Sequence, residues 1–154
     1  MIAARAIYNR LVEWFDGVPP TPQQILDADP EAMRAAAGLS RAKVTFLRSL
    51  GEHVLSGELE LDLIDQLSDD ELIAELTAVK GLGTWTAHMF MIFELRRPDV
   101  LATGDLGVRR AAERAYGLAE LPSAAELEAI AEAWRPHRSA ACLVLWHSLS
   151  NAPA

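Results

Sequence analysis

Helix-start signals recur along this sequence at short intervals. A serine, threonine or aspartate stands ahead of several apolar runs, and proline follows it directly in Thr21-Pro22 and Asp29-Pro30. Such side chains accept hydrogen bonds from the unpaired N–H groups of a first helical turn, and proline fits that turn because no N–H is needed there. Strand-like alternation of apolar and polar residues is absent from the sequence. The pattern therefore predicts an all-α fold.

These signals, together with helix-stopping glycines, also predict helix boundaries. Ser68 with Glu71, and Ser123 with Glu126, have the spacing of a capping box. The predicted helices are 3–16, short helices after Thr21 and between Pro30 and Gly38, then 41–56, 69–78, 85–95, 106–116, 124–134 and 137–149. Aromatic side chains at helical spacing are predicted to fill the core: Trp14, Phe15, Phe46, Phe90 and Phe93. The loop at 97–104 is the predicted boundary between two helical lobes, 1–97 and 98–154.

Charge and cysteine content limit the classes of function. The chain has 154 residues, a net charge of −8 and one cysteine, Cys142. A single cysteine excludes an intramolecular disulfide, a cysteine-rich zinc site and an iron-sulfur cluster with four cysteine ligands. The negative charge opposes broad attraction to DNA or anionic membranes, so any nucleic-acid contact must be local. No apolar run approaches the roughly 20 residues of a membrane span, and we expect a cytoplasmic monomer without membrane contact.

Two glycines separate the predicted helices 69–78 and 85–95, in the segment VKGLGTW. Glycine permits the positive φ angles of tight turns, and Thr84 is predicted to cap the second helix. Exposed N–H groups at the start of that helix, together with its dipole, would suit a phosphate oxygen. From these residues alone, a glycine-rich C-cap that joins two helices and binds nothing remains an alternative.

An aspartate follows twenty residues after Trp85, in the segment TGDLGVRR. Asp105 lies at or just before a predicted helix N-terminus, where the helix dipole would keep its carboxyl ionised. A helix cap and a catalytic carboxylate both fit this position.

The hairpin and the aspartate together resemble the helix-hairpin-helix plus Gly/Pro-Asp motif of a DNA repair superfamily. Within it, the sequence resembles the 3-methyladenine DNA glycosylase II family. The resemblance extends over nearly the whole chain, through ARAIYNRL, PTPQQIL, GLSRAKVTFLRSL, GLGTWTAHMF, RPDVLATGDLGVRRA and WRPHRSAACLVLW. It implies a two-lobed helical bundle, with the helix-hairpin-helix at about 69–95, whose cleft receives a base flipped out of damaged duplex DNA.

The resemblance assigns roles in chemistry to particular residues. Asp105 corresponds to the catalytic aspartate, and Trp85 and Trp146 correspond to tryptophans that line the base pocket. A carboxylate is suited to stabilise the positive charge that develops on the sugar when an N-glycosidic bond breaks. In bifunctional relatives a lysine nucleophile takes the place of Trp85, so we expect a monofunctional glycosylase that leaves an abasic site uncut.

The resemblance also assigns contacts to the hairpin. The residues expected to bind the DNA backbone are Lys80, Gly81, Leu82, Gly83 and Thr84. Family members hold a monovalent cation, Na⁺ or K⁺, through main-chain carbonyls that map to Thr77, Val79 and Leu82. We expect no other cofactor and no iron-sulfur cluster. Family members also carry a further helix and a Gly-Gln-containing loop, which supplies a duplex-wedging side chain, ahead of the segment matching 2–6. A start assigned too late, a truncated chain and a weakened or inactive relative are the alternatives for its absence here, and we expect the missing helix to leave an apolar patch on the last helices.

The activity expected from this resemblance is excision of alkylated purines, of the 3-methyladenine type, during base excision repair. A noncatalytic helix-hairpin-helix relative that binds DNA or senses damage is the first alternative. An all-α interaction scaffold is the second, but it does not explain the joint placement of Gly81, Gly83, Trp85, Asp105 and Trp146. A basic and aromatic cluster that could contact DNA or only pack structurally comprises Trp134, Arg135, His137 and Arg138.

Overall fold

The computed structural model describes residues 2–150, with side chains from Ala4 to Leu149, and this part of the chain contains helices and no strands. The helices are α1 (Ile2–Trp14), α2 (Pro22–Asp27), α3 (Pro30–Ala37), α4 (Arg41–Ser56), α5 (Asp69–Ala78), α6 (Thr84–Phe93), α7 (Leu106–Tyr116), α8 (Ala124–Ala131) and α9 (Arg138–Ser150). A 3₁₀ turn at Glu132–Trp134 follows α8. The all-α prediction is confirmed. Among the described helices, none combines the length and apolar composition of a transmembrane span.

Local capping explains most of the helix starts. Thr21, Asp29 and Ser40 each accept a hydrogen bond from the main-chain N–H three residues later. Ser68 and Ser123 form the two predicted capping boxes with their glutamates. These bonds satisfy N–H groups that the helix itself leaves unpaired.

The start of α6 differs from the prediction. The cap expected at Thr84 is wrong, because Thr84 is already the first helical residue. Gly83 precedes it with an extended backbone, φ −102° and ψ 172°, and supplies no side-chain hydrogen bond to the first turn. Glycine has no side chain to donate or accept, so the first turn of α6 lacks a side-chain cap at that position.

The chain forms two compact units, 1–82 and 83–154. The boundary predicted at 97/98 lies inside the second unit and stays a prediction. In the first unit, α1 packs on α3, and α2 and α3 pack on α4. Their shared core is apolar: Leu11, Ile25, Met33, Ala37, Leu39 and Val44, with Ile7, Phe15 and Leu47 at its edge.

The second unit is built around α7 and α9, which pack on each other. Its buried apolar side chains include Met91, Val100, Val108, Leu127 and Cys142. The aromatic core prediction is confirmed for Phe15 at the edge of the first core but is wrong for two residues. Trp14 is 36% exposed and Phe93 is 53% exposed, because helical spacing shows that side chains share a face without showing what covers it.

Candidate functional site

Asp105 caps α7 from an extended backbone, φ −81° and ψ 118°. Its Oδ1 accepts a hydrogen bond of 2.8 Å from the N–H of Val108. The carboxylate therefore points into the first turn of the helix, where the helix dipole favours a negative charge. This much is the capping role that the sequence already allowed.

Two indole N–H groups bond the same carboxylate. Nε1 of Trp85 donates to Oδ2 at 2.7 Å, and Nε1 of Trp146 donates to Oδ1 at 2.7 Å. These three residues lie far apart in the sequence, at the start of α6, at the start of α7 and on α9. The structure thus brings together the three residues that the resemblance assigned to chemistry, and each carboxylate oxygen receives an indole N–H.

These contacts control the ionisation of Asp105. Burial raises the pKa of its carboxyl, but hydrogen bonds from Trp146 and Trp85 and from the N–H groups of Val108 and Gly107 together outweigh burial, so the pKa lies below its ordinary value. The carboxylate is therefore ionised at neutral pH. Its partly exposed position leaves it a charged group that a ligand can approach.

Phe93 and Gly107 belong to this site and were not predicted to do so. The ring of Phe93 stacks on Trp146, with centroids 5.7 Å apart and planes at 19°. A Cβ added at Gly107 would lie 3.0 Å from Oδ1 of Asp105 and 3.1 Å from Cδ1 of Trp146. Gly107 therefore leaves the space in which the carboxylate and the indole meet. The second glycine of GDLG was the sequence signal for it, whereas Phe93 had none that distinguished it from a core residue.

The loop leading to Asp105 is held by the first turn of α9. Oγ of Ser139 donates to the carbonyl of Arg97 at 2.5 Å and accepts from the N–H of Val100 at 3.0 Å. The guanidinium of Arg138 donates to both carboxylate oxygens of Asp99, at 2.7 and 2.9 Å. Paired N–H donors and a planar carboxylate fix relative orientation as well as distance.

The predicted basic and aromatic cluster is largely engaged inside the protein. Arg135 donates to Asp99 at 2.7 Å and to Glu132 at 2.9 Å, alongside the Asp99 contacts of Arg138. The indole of Trp134 donates to the hydroxyl of Tyr116 at 2.9 Å. These contacts support the structural interpretation of the cluster, since both arginines already have a carboxylate partner.

The hairpin glycine Gly81 is required by its conformation and by its neighbour. Its φ is +93°, and a Cβ there would lie 2.1 Å from Cγ of Phe46. The N–H of Lys80 donates to Oγ of Ser49 at 3.2 Å, and the N–H of Leu82 donates to the carbonyl of Val79 at 3.1 Å. A side chain at Gly81 would displace the Phe46 ring and strain the backbone.

The carbonyls assigned to a monovalent cation lie around the end of α5. Thr77 is in the last turn of that helix, where carbonyls have no partner within the helix. The carbonyl of Val79 accepts one hydrogen bond, from Leu82, and a carbonyl oxygen has two lone pairs. Hard oxygen donors of this kind fit a Na⁺ or K⁺ ion. Over the described residues, no cluster of histidine, cysteine, aspartate and glutamate side chains has the arrangement of a metal site.

Comparison with known proteins gives a match over most of the chain. The sequence model described as HhH-GPD superfamily base excision DNA repair protein matches residues 1–136. DNA-3-methyladenine glycosylase 1 of Schizosaccharomyces pombe is 38% identical over 146 residues, which are 94% of this chain and 64% of that protein. The chain thus spans less than two thirds of the length of this relative.

Solved structures share the fold. The structure of the Schizosaccharomyces pombe 3-methyladenine DNA glycosylase in complex with abasic DNA matches with a TM-score of 0.87 at 37% identity, over 97% of this chain and 73% of that one. A DNA-3-methyladenine glycosidase from Bacillus halodurans matches with a TM-score of 0.86 at 39% identity, over 98% of this chain and 69% of that one.

Proposed function

Because the chain belongs to the HhH-GPD superfamily of base excision DNA repair proteins, we propose that it is a monofunctional DNA glycosylase. Its substrate is duplex DNA containing alkylated purines of the 3-methyladenine type, and its product is an abasic site. The observation that carries the proposal is the Asp105 carboxylate, which receives an indole N–H on each oxygen and is ionised at neutral pH.

The chemistry requires one well-placed negative charge. The N-glycosidic bond breaks, its electron pair leaves with the base, and positive charge develops on the sugar until water attacks the anomeric carbon. An ionised carboxylate beside that carbon stabilises the charge. A purine alkylated on a ring nitrogen is already cationic, so it accepts the electron pair without prior protonation. Asp105 therefore needs no partner acid for the bond to break.

The two tryptophans serve the carboxylate and the base in different ways. Their N–H edges donate to Asp105, so the hydrogen bonds do not cover the ring faces. Trp85 is 50% exposed, whereas Phe93 already stacks on one face of Trp146, so Trp85 offers the more accessible face to a base. An aromatic face attracts a cationic base by about 0.5–2 kcal/mol. Selectivity for a cationic base over a neutral one follows from this attraction and from the easier flipping of a damaged pair.

The reaction stops at the abasic site in this proposal. A glycosylase that also cuts the strand uses an amine nucleophile, and Trp85 stands where bifunctional relatives carry a lysine. The indole of Trp85 is not a nucleophile and is already bonded to Asp105. Hydrolysis by water is then the remaining route for the sugar cation.

The hairpin provides the DNA contact in this proposal. The first turn of α6 has no side-chain cap, so its N–H groups can bind a phosphate oxygen. Na⁺ or K⁺ held by the carbonyls of Thr77, Val79 and Leu82 would add positive charge to the hairpin. The protein would act as a monomer on DNA in the cytoplasm, next to the nucleoid.

The test compares wild type with Asp105→Asn on methylated duplex DNA. Free base is measured directly, and abasic sites are revealed by heating in alkali. Wild type should release base and Asp105→Asn should lose most of this activity, while Glu128→Gln, an exposed carboxylate on α8, should match wild type. Equal base release by wild type and Asp105→Asn would remove Asp105 from the mechanism. Strand cleavage before alkali would contradict the monofunctional assignment.

A further inference from the structure

Two buried serines support the segments to which we assign binding and chemistry. Among the side chains that the structure describes, the buried polar ones are Ser49, at 9% exposure, and Ser139, at 6%. Burying a hydroxyl is unfavourable unless it is hydrogen-bonded. Both serines bond main-chain groups outside their own helices.

Ser49 lies on α4 and holds the hairpin. Its Oγ accepts the Lys80 N–H at 3.2 Å. The next residue, Gly81, lies against the ring of Phe46, which is three positions before Ser49 on the same helix. One hydrogen bond and one ring contact from α4 therefore fix the backbone at Lys80 and Gly81.

Ser139 lies on α9 and holds the start of the loop that leads to Asp105. Its Oγ bonds Arg97 and Val100, and its own N–H donates to the carbonyl of Pro98 at 3.0 Å. The following loop residues, Val100–Ala102, are buried, and the N–H of Asp105 donates to the carbonyl of Ala102 at 3.0 Å.

The far end of the same loop is also held by α9. Trp146 follows Ser139 by seven residues, which is two helical turns, so both side chains lie on one face of the helix. Ser139 bonds the start of the loop and Trp146 bonds the carboxylate of Asp105 at its end. A shift of the loop start would therefore move the carboxylate relative to the indole.

We propose that Ser49 and Ser139 are positioning residues with separable effects: Ser49 orients the hairpin for DNA binding, and Ser139 orients Asp105 for bond cleavage. The inference rests on the proposed function. If the serines served folding alone, removing either hydroxyl would lower thermal stability and would not separate binding from the rate of base release.

The experiment measures two quantities for Ser49→Ala and Ser139→Ala in the full chain. The first is Kd for a duplex carrying a tetrahydrofuran abasic analogue, and the second is the single-turnover rate of base release from methylated duplex at saturating protein. Ser49→Ala should raise Kd by about tenfold, because losing the buried hydrogen bond lets the hairpin leave the conformation that binds DNA, with the saturated rate within about twofold of wild type. Ser139→Ala should lower the saturated rate by about 10- to 100-fold, because displacing a catalytic group by about 1 Å has effects of that size, with Kd within about twofold.

Matched controls remove a serine hydroxyl from the same two helices. Ser56 on α4 donates to the carbonyl of His53 at 3.2 Å and accepts from the N–H of Glu58 at 3.4 Å, and Ser148 on α9 donates to the carbonyl of Leu145 at 2.7 Å, so each hydroxyl bonds only residues within three positions of itself. Ser56→Ala and Ser148→Ala should leave both quantities within about twofold of wild type, since such local bonds contribute little net stability. Thermal unfolding of every variant establishes that the assays are run on folded protein.

The outcomes separate this inference from the proposed function. A wild-type protein that releases no base refutes the proposed function. If wild type releases base but the Ala variants change Kd and rate in parallel, or change neither, the positioning role of the two serines is refuted. The proposed function is then unaffected. If Ser139→Ala is unfolded at the assay temperature, Ser139→Cys takes its place, because a thiol fills the site and keeps a weak donor. The same decrease in rate and an unchanged Kd are expected.

Discussion

Replacing Trp146 by phenylalanine should destabilise the protein more at neutral pH than at acid pH. The substitution keeps an aromatic ring beside Phe93 but removes the N–H that donates to Oδ1 of Asp105 at 2.7 Å. That oxygen keeps its hydrogen bond from Val108. The perturbation is therefore the loss of one hydrogen bond to an ionised carboxylate, plus a small loss of packing.

The magnitude follows from the bond and its surroundings. A hydrogen bond to a charged group contributes about 1.5–3 kcal/mol to the free energy of unfolding. Asp105 is partly exposed, so water replaces part of what is lost, and we expect about 1–1.5 kcal/mol at pH 7. The packing loss from tryptophan to phenylalanine adds an amount that is the same at every pH.

The direction with pH follows from the pKa of Asp105. Burial raises this pKa, but the hydrogen bonds to the carboxylate lower it by more than burial raises it, so the pKa lies below its ordinary 3.8. A carboxyl whose pKa is lower in the folded state contributes stability above its unfolded pKa and loses it as pH falls through the folded pKa. The difference in unfolding free energy between wild type and Trp146→Phe should therefore be constant near neutral pH and decrease below about pH 4, to the packing contribution alone.

Urea denaturation of both proteins between pH 7 and about pH 3 measures this difference. Trp134→Phe is the matched control, because the indole of Trp134 donates at 2.9 Å to the hydroxyl of Tyr116 rather than to a carboxylate. Its effect on stability should not change with pH. A pH-independent effect of Trp146→Phe as well would refute the hydrogen bond to an ionised Asp105.

Further substitutions test the hairpin and the loop. Gly81→Ala should lower the free energy of unfolding by about 2 kcal/mol or more, because the positive φ of Gly81 and an aromatic ring of α4 both exclude a Cβ. Gly83→Ala should lower the free energy of unfolding by less than about 1 kcal/mol, because a Cβ there would meet no described atom within 4 Å. Asp99→Ala leaves two arginines without their shared carboxylate, so it should lower the free energy of unfolding by about 1–2 kcal/mol. Glu132→Ala, on the exposed side of the same network, should change the free energy of unfolding by less than about 0.5 kcal/mol. Lys80→Ala should reduce the slope of log Kd against log salt by about one, if its ammonium contacts a phosphate.

The helix order was predictable because capping is local. A serine and a glutamate three residues apart interact within one turn. Ser68 and Ser123 therefore indicate helix starts independently of the rest of the chain. The start of α6 was not predictable in the same way. Gly83 and Thr84 can both precede a helix, and the choice of glycine depends on the conformation of the whole hairpin.

The site depends on contacts that local reasoning does not reach. Asp105, Trp85 and Trp146 were predicted through the family resemblance, which the match over residues 1–136 confirms. Periodicity alone would have placed both tryptophans in the core, as it wrongly placed Phe93. Ser139 has no sequence signal, because a serine near a helix start reads as an ordinary surface or capping residue. Its role depends on a carbonyl and an N–H about forty positions earlier.

A protein of net charge −8 gains little general attraction for DNA, and several of its arginines are already bonded within the protein. Many of its cationic side chains donate to acceptors inside the protein: Arg10, Arg34, Arg48, Arg109, Arg135 and Arg138. Carboxylates offset the charge of Arg34, Arg135 and Arg138. Arg10, Arg48 and Arg109 keep their charge, but their guanidinium groups are engaged by main-chain carbonyls. Contact through neutral main-chain N–H groups does not require a positively charged surface, because such groups bind a phosphate by geometry and release few counterions. On the proposed function, affinity for duplex DNA should therefore depend on the backbone of the hairpin more than on net charge, and changes at Gly81 or Ser49 are expected to weaken binding.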